Sequence, residues 1–276
     1  MLECVVNVSE GRDRTVLAEL AEAAGTCLLD VHSDPYHHRS VFTLAGPDGQ
    51  VAQGVRELAR RSVSVLDLRR HQGAHPRLGV LDVVPWVALE GEPLRDAEPP
   101  GGPALAREAR DQFAAWASEE LGLPVFLYGP ERSLPQVRKA AWRTLMPDLG
   151  PDAPHPTAGA VVVGYRPLLV AYNLWLRDSN LAKAREVAAH VRGPHLRALG
   201  LPVGSSVQVS CNLVAPGAFG PADVWDKVSA LVDIERAELV GLIPAAVLQA
   251  VPRGRWRQLD LSSERTIESR LRARAK

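Results

Sequence analysis

Residues 2–31, LECVVNVSEGRDRTVLAELAEAAGTCLLDV, contain the first three elements that we predict for the chain. The segment 2–8 is apolar and rich in valine, which favours a strand. The polar run SEGRD follows, and residues 14–24 then predict a helix that Gly25 ends. Residues 27–31 are again apolar and predict a second strand. The chain therefore begins in the order strand, helix, strand.

The pattern that follows completes a recognisable unit by residue 89. Residues 39–45 alternate in polarity and stop at the turn Gly46-Pro47-Asp48-Gly49. Apolar residues recur at helical spacing over 51–68, and residues 80–89 predict a strand. The order β-α-β-β-α-β is that of a ferredoxin-like unit, in which helices cover one face of an antiparallel or mixed sheet. We therefore predict the α+β fold class.

The rest of the chain predicts a second unit of the same kind. We expect a loop over 91–103 and an irregular stretch over 143–158, which carries four prolines. The regular elements expected elsewhere are a helix at 104–121, strands at 124–128, 159–164 and 168–174, a helix at 179–192, a strand at 205–213, a helix at 221–235, a strand at 237–242 and a final helix at 262–275. From this order we predict two similar subdomains, 1–165 and 166–276.

The charge of the chain is balanced, with 32 basic and 32 acidic residues. A neutral protein lacks the surplus of cations that displaces counterions from phosphates, so we expect no nucleic-acid partner. The basic residues are 28 Arg and 4 Lys, and residues 251–276 hold eight basic against three acidic side chains. This local surplus suits a solvated C-terminal helix, because cations are favoured at helix C-termini; an anion-binding arm is the alternative.

The three cysteines, at positions 4, 27 and 211, have neither CxxC spacing nor even pairing. Without a disulfide framework, the expected compartment is a reducing cytoplasm. The N-terminus has no basic region and only a short apolar run, so we expect no secretory signal peptide. The longest apolar stretch, 239–251, is interrupted by Pro244 and is far short of the roughly 20 residues that span a bilayer. We expect no membrane partner.

The densest candidate for chemistry is His71-Gln-Gly-Ala-His75-Pro-Arg-Leu-Gly79, which ends near Asp82. One interpretation is a loop that carries a catalytic histidine, because the free pKa of histidine, about 6.5, allows proton transfer in both directions near neutral pH. Arg77 would present a planar, charged fork to a carboxylate. In the structural alternative, one histidine binds a loop carbonyl and the other is exposed.

A zinc site is a second alternative for this segment. Histidines four positions apart share a helix face and bind zinc together, but Gly73 and Pro76 oppose a helix here. The more distant histidines that could complete such a site are His32, His37 and His38.

Three other polar segments are weaker candidates. Arg39 follows Asp34-Pro-Tyr-His-His and could face a carboxylate, although a surface turn with an ion pair is equally consistent. Asn7-Val-Ser-Glu10-Gly11 ends the first strand, where ligand contact or a helix N-cap would explain its polarity. The stretch Gly150–Gly159 has no GxGxxG or Walker spacing, so it does not indicate a phosphate cradle.

Four segments together resemble the glutamate formiminotransferases, the formiminotransferase part of formiminotransferase-cyclodeaminase. They are ECVVNVSEGR at 3–12, RRHQGAHPRLGVLDVVPW at 69–86, GPDAPHPTAGAVVVGYRPLLVAYNLWL at 150–176, and VQVSCNL followed by ELVGLIP within 207–244. The HxGxHPRxGxxD signature is the most specific of these. The resemblance covers residues 1–250 in the same order, and it implies a form without the cyclodeaminase module.

The resemblance implies an activity and a set of catalytic residues. Proteins of this family move a formimino group from N-formimino-L-glutamate to N5 of tetrahydrofolate, as part of one-carbon metabolism and histidine catabolism. Their catalytic histidine falls on His75, which we expect to act as general acid and base. Arg39 and Arg77 are expected to hold substrate carboxylates. The remaining predicted substrate contacts are Asn7, Glu10 and Asp82.

The resemblance also implies how folate is bound. Two ferredoxin-like subdomains hold tetrahydrofolate, a co-substrate, in the groove between them, and the proteins form homodimers. No metal is expected. A further folate contact falls on Arg192. The predicted folate-binding loop comprises Gly150, Pro151, Asp152, Ala153, Pro154, His155, Pro156, Thr157, Ala158 and Gly159.

Two positions depart from the pattern of the family. An acidic residue usually precedes the catalytic histidine, and here that position is Ala74. The residue before Arg39 is often Asn, and here it is His38. These changes leave open a paralogue that binds folate or an amino acid and uses a different formimino or formyl donor, or has little turnover. A metal-dependent amidohydrolase built on the histidine cluster is the third hypothesis.

Overall fold

The computed structural model describes residues 1–89 and 102–274. The loop predicted at 91–103 lies outside these residues except for its last two positions, which begin a helix. Within the described residues the chain divides into a first unit that ends at Arg166 and a second that begins at Pro167. Both units combine helices with a β-sheet, as the predicted α+β class requires.

The first unit contains a six-stranded sheet. Its elements in chain order are β1 (Leu2–Val8), α1 (Arg14–Ala24), β2 (Leu28–Asp34), β3 (Arg39–Gly46), α2 (Asp48–Val65), β4 (Leu81–Ala88), α3 (Gly102–Leu121), β5 (Val125–Tyr128), α4 (Leu134–Ala140) and β6 (Val161–Tyr165). The strand order is β2-β3-β1-β4-β6-β5. The first four strands are antiparallel in ferredoxin-like order, and β6 and β5 extend them in parallel, which makes the sheet mixed.

Local sequence explains the first helices. The Oδ1 atom of Asp13 accepts hydrogen bonds from the backbone N–H groups of Thr15 and Val16, at 2.9 and 3.1 Å, which caps α1. Gly25 ends that helix with a φ of 71°, a conformation that favours glycine. The buried stripe of α2, Val51, Val55, Leu58 and Ala59, follows the predicted helical spacing and packs into the core of the first unit.

The second unit repeats the arrangement. Its elements are β7 (Val170–Leu176), α5 (Leu181–Val191), β8 (Leu196–Val203), β9 (Ser206–Leu213), α6 (Pro221–Ser229), β10 (Ile234–Val240), α7 (Ala245–Gln249) and α8 (Ile267–Arg274). The antiparallel strand order, β10-β7-β9-β8, matches β4-β1-β3-β2 of the first unit. The two α+β subdomains expected from the order of elements are therefore present.

The structure corrects the predicted elements in several places. Strand β8 and helices α4 and α7 were not expected. Strand β8 contains Pro202, which it tolerates because β8 lies at the edge of its sheet, where a proline removes no ladder bond. The predicted helices at 221–235 and 262–275 are shorter, because α6 ends at Ser229 and α8 begins only at Ile267.

Cys4, Cys27 and Cys211 are all buried, and none of them is in a disulfide within the described residues. Across residues 1–89 and 102–274, none of the helices is both long enough and apolar enough to cross a bilayer.

Candidate active site

Two loops that the sequence singled out pack side by side in the first unit. One is the signature loop, residues 71–79, and the other is the 150–159 loop. The N–H of Val80 donates to the carbonyl of Ala158 at 2.9 Å, and the N–H of Ala160 donates to Leu78 at 2.9 Å. The predicted catalytic segment and the predicted folate loop are therefore neighbours.

Glycines make this close packing possible. A Cβ atom at Gly79 would lie 2.2 Å from the carbonyl oxygen of Ala160, and one at Gly73 would lie 2.3 Å from that of His37. Both distances are well inside van der Waals contact, and the obstacle in each case is backbone. A side chain at Gly79 would force the signature loop away from the 150–159 loop, and one at Gly73 would force it away from the turn that contains His37.

His75 has a defined tautomer. Its Nδ1 atom lies 2.7 Å from the carbonyl oxygen of Pro76. Because a carbonyl only accepts, Nδ1 must carry the proton, and the neutral ring then presents a lone pair at Nε2. Burial, reinforced by the charges of Arg39 and Arg138, lowers the pKa of His75 to about 3. At neutral pH the side chain is an uncharged base with Nε2 as its acceptor.

Asp82 is the hub of the charged groups around His75. Its Oδ2 atom accepts from Arg39 Nη1 at 2.5 Å and from Arg138 Nη2 at 2.6 Å. Its Oδ1 atom accepts from the N–H of Leu78 at 2.8 Å. Burial alone would raise the pKa of this carboxyl, but the two guanidinium charges and the hydrogen bonds hold it at about 2. One carboxylate faces two guanidinium groups, which leaves a positive surplus beside His75.

Asn7 fixes the second side of Arg39. Its Oδ1 atom accepts from Arg39 Nη2 at 2.9 Å and from Nε at 3.2 Å. The amide of Asn7 donates in turn to the carbonyl of Val5 at 2.9 Å. The guanidinium of Arg39, whose side chain is 11% exposed, is therefore held rigidly between β1 and β4.

Arg77 holds the signature loop closed. Its Nη1 atom donates to the carbonyls of Gly73 and His75 at 3.1 and 3.0 Å, and Nη2 donates to the carbonyl of His71 at 3.0 Å. Both terminal nitrogens are thus engaged with backbone. Its predicted contact with a substrate carboxylate stays a prediction.

Glu10 organises the turn that leads into α1. Its Oε1 atom accepts from the N–H groups of Gly11, Arg12 and Asp13 at 2.7, 2.6 and 3.0 Å. It also lies 3.1 Å from Nε2 of His38. Burial opposes ionisation, but these hydrogen bonds and the His38 ring lower the pKa of Glu10. The structure therefore gives Glu10 a role in the turn, and its substrate contact stays a prediction.

His38 forms a stacked pair with His71, the first residue of the signature loop. Their ring centroids are 4.1 Å apart, and Nε2 of His71 donates to the carbonyl of His38 at 2.7 Å. His38 has a φ of 52°, the left-handed conformation in which Asn is favoured over most residues. Within the two described ranges, no three His, Cys, Asp or Glu side chains converge as metal ligands would.

The predicted folate contacts divide into an exposed and a buried set. Pro151–Pro154 and Pro156 are exposed, whereas Ala158 and Gly159 are buried against the signature loop. Nδ1 of His155 accepts from the N–H of Ala158 at 3.0 Å, which closes the turn. Arg192 lies in the second unit at the end of α5, where Nε donates to the carbonyl of Ala198 at 2.8 Å.

Arg138 is the site residue that the sequence reasoning missed. It lies on α4 and contacts both Asp82 and the carbonyl of Pro76, the latter at 3.0 Å. The sequence did carry a signal for this helix, because Ser133 and Gln136 form a capping box at its start.

Known proteins are similar to this chain over the region that holds His75, Asp82 and Arg138. The family model described as the formiminotransferase domain, N-terminal subdomain, matches residues 1–166. The glutamate formimidoyltransferase of Streptococcus pyogenes serotype M1 is 32% identical over 282 residues, which cover 90% of this chain and 90% of that protein. That of Thermoplasma acidophilum is 29% identical, with 90% and 89% covered. The formimidoyltransferase-cyclodeaminase of Sus scrofa is 30% identical over 90% of this chain, which spans 51% of that longer protein.

Proposed function

The chain belongs to the formiminotransferase family, and on this premise we propose that it transfers a formimino group from N-formimino-L-glutamate to N5 of tetrahydrofolate, with His75 as general acid and base. The enzyme class is that of the one-carbon transferases. Two relatives named glutamate formimidoyltransferase support this assignment, because this chain aligns with 90% and 89% of their lengths.

The observation that carries the proposal is the state of His75. Its Nδ1 proton is held by Pro76, so the lone pair of Nε2 is the basic atom. Among the described residues the ring of His75 makes no other hydrogen bond, so Nε2 is available to a substrate. A positioned base of this kind contributes roughly 10²–10⁴-fold to a proton-transfer step.

The proton path follows from that lone pair. Nε2 of His75 accepts the proton that N5 of tetrahydrofolate loses when its bond to the amidine carbon forms. The same proton returns to the glutamate nitrogen as the bond between that nitrogen and the amidine carbon breaks. His75 thus ends in its starting state, and the products are formimino-tetrahydrofolate and glutamate.

The guanidinium groups of Arg39 and Arg138 suit the binding of a negatively charged formimino donor. Formimino-glutamate and the tail of folate both carry carboxylates, and Arg39 and Arg138 leave a positive surplus around one ionised Asp82. Arg39 is already fixed by Asn7, so a carboxylate would meet a preorganised cation. Arg77 supports the signature loop, and Glu10 supports the turn that leads into α1. A direct contact of either residue with the substrate is part of the proposal.

Folate is assigned to the 150–159 loop and to Arg192. The buried end of that loop, Ala158 and Gly159, adjoins the signature loop, which supports folate contacts by this loop in the neighbourhood of His75. A homodimer, a cytoplasmic location, a role in histidine catabolism and chemistry without a metal complete the proposal. Metal analysis of the purified protein checks the last point, since stoichiometric zinc would instead favour the amidohydrolase hypothesis.

The test compares His75→Asn with wild type. Asparagine retains a donor at the place of Nδ1 for the Pro76 carbonyl but supplies no base at the place of Nε2. We expect formimino transfer, measured in a coupled assay, to fall by at least about 10²-fold, while calorimetric binding of tetrahydrofolate stays unchanged. Turnover within a few-fold of wild type would overturn the role of His75.

A second candidate donor rests on two departures from the family pattern, Ala74 in the signature loop and His38, which stacks on His71. Ala74 is exposed where the family usually has an acidic residue, and His38 adopts a left-handed φ where Asn is common. The alternative is a paralogue with another formimino or formyl donor, or with little turnover. Rates with formimino-glutamate, formimino-glycine and formyl-glutamate separate the two candidates, because a higher kcat/KM for either of the last two favours the paralogue.

A further inference from the structure

The carbonyl of Pro76 serves two donors at once. Nδ1 of His75 lies 2.7 Å from this oxygen, and Nη1 of Arg138 donates to it at 3.0 Å. A carbonyl oxygen has two lone pairs, so both bonds can form together. Arg138 therefore shares an acceptor with the side chain to which we assign the chemistry, although it lies on α4 and His75 lies in the signature loop.

Asp82 fixes the other end of the guanidinium. Nη2 of Arg138 donates to Oδ2 of Asp82 at 2.6 Å, and Asp82 also accepts from the N–H of Leu78. The planar guanidinium of Arg138 thus bridges the carbonyl of Pro76 and the carboxylate of Asp82. That carboxylate also accepts from the backbone N–H of Leu78, two residues after Pro76. A guanidinium fork has a fixed geometry, which an ammonium group cannot reproduce.

We infer that Arg138 is a positioning residue that orients the Pro76 carbonyl and thereby holds the proton of His75 on Nδ1 and its lone pair on Nε2. This inference rests on the proposed function of His75. With one lone pair occupied by Arg138, the carbonyl is held with its other lone pair toward the imidazole. Loss of that restraint would let the ring rotate or exchange tautomers, and the basic atom would then be misplaced.

The charges that face His75 come from three elements. Arg39 reaches it from β3, Asp82 from β4 and Arg138 from α4, and the ring of His37 lies 5.9 Å away between centroids. Arg77 adds a third positive charge from the signature loop itself, where it donates to the carbonyl of His75. Removal of Arg138 would therefore subtract one of three nearby positive charges, in addition to the bond to Pro76. Charge and position can be separated by comparing Arg138→Lys with Arg138→Met.

The matched control is Arg132, just before α4. It makes a two-pronged ion pair with Asp148 at 2.7 and 2.9 Å, and Asp148 also accepts from a backbone N–H, that of Leu127. This pair resembles that of Arg138 with Asp82 but makes no bond to Pro76. Arg132→Met should keep kcat, KM and the pH profile within about twofold of wild type.

We expect Arg138→Lys to lower kcat by about 10²-fold with little change in the KM for tetrahydrofolate, because a misplacement near 1 Å has an effect of this size. The acid limb of its kcat/KM profile should stay in place. Arg138→Met should lower kcat similarly and also move the acid limb to higher pH, since one positive charge is lost.

Imidazole ¹⁵N spectra, with the His75 signals assigned from His75→Asn, supply a readout independent of turnover. Wild type and Arg132→Met should show one Nδ1–H tautomer, and both Arg138 variants a mixture. A single Nδ1–H tautomer in folded Arg138→Lys would overturn the inference, as would kcat within threefold of wild type. If wild type proves inactive on formimino-glutamate, the proposed function fails, and the spectra still decide the role of Arg138.

Discussion

Arg39 and Asp82 form an ion pair across a strand that lies between their own. Arg39 begins β3 and Asp82 lies in β4, and both strands flank β1 in the sheet. Nη1 of Arg39 nevertheless reaches Oδ2 of Asp82 at 2.5 Å, while Asn7 on β1 accepts from the same guanidinium. Three strands are thereby tied together at the end of the sheet where the signature loop leads into β4.

Asp82→Asn should destabilise the protein strongly. The substitution keeps the shape of the side chain but leaves Arg39 and Arg138 without their buried counter-charge. We expect the free energy of unfolding in urea to fall by about 3–5 kcal/mol, the usual result of removing one partner from a buried pair. Asp148→Asn, which breaks the more exposed pair with Arg132, is the control and should cost no more than about 1 kcal/mol. Equal losses in the two variants would contradict the hub role of Asp82.

Acid should destabilise the fold from near pH 6.5 downward. The folded pKa values of His75 and His71, about 3 and about 4, lie below the unfolded value of histidine, so the unfolded state binds more protons between these values. Their contribution to stability is fully present above pH 6.5 and is lost as the pH falls toward 4. Each histidine should add a slope of up to about 1.4 kcal/mol per pH unit. His75→Asn should remove one such slope in urea titrations at pH 7, 6 and 5; an unchanged slope would show that His75 ionises normally.

The bound donor should raise the pKa of His75. In the free protein the positive surplus of Arg39 and Arg138 disfavours the imidazolium, and a carboxylate seated beside them would offset that surplus. The acid limb of the kcat profile should therefore lie at higher pH than that of kcat/KM, because the first reports the complex and the second the free enzyme. Coincident limbs, measured where circular dichroism shows the folded protein, would argue against a carboxylate beside these guanidinium groups.

Gly79→Ala should separate the two loops of the site. Its methyl group would lie 2.2 Å from the carbonyl of Ala160, so the backbone of one loop must move. We expect a loss of stability of about 1–3 kcal/mol, as for overpacking elsewhere, together with weaker tetrahydrofolate binding in calorimetry. Gly49→Ala, within α2 and with open space around the added methyl, should be neutral or stabilising by up to about 1 kcal/mol. Similar effects at both positions would contradict the close-packing explanation.

Local patterns predicted the frame of the protein well. Helix α1 was expected at 14–24 and is Arg14–Ala24, because the cap at Asp13 and the stop at Gly25 both depend on neighbouring residues. Strand β8 was missed because the tolerance of Pro202 depends on the strand being at an edge, which no local pattern reveals.

Within the site, the residues themselves were easier to predict than their hydrogen-bond partners. The HxGxHPR pattern singled out His75 and Arg77, but the engagement of Arg77 with three loop carbonyls depends on how the loop folds back on itself. Arg138 was missed because it enters from a helix 56 residues beyond Asp82 in sequence. Contacts of this range follow from the sheet order and not from spacing.

The side chains that surround Asp82 all come from the same unit of the protein. Asn7, Arg39, His75, Asp82 and Arg138 all belong to the first unit, and the second unit repeats the strand order of the first with other residues. On the proposed function, the residues assigned to proton transfer therefore all come from one of two units that share a strand order. A shared strand order therefore does not by itself carry chemistry, because the side chains mounted on the common frame differ between the two units.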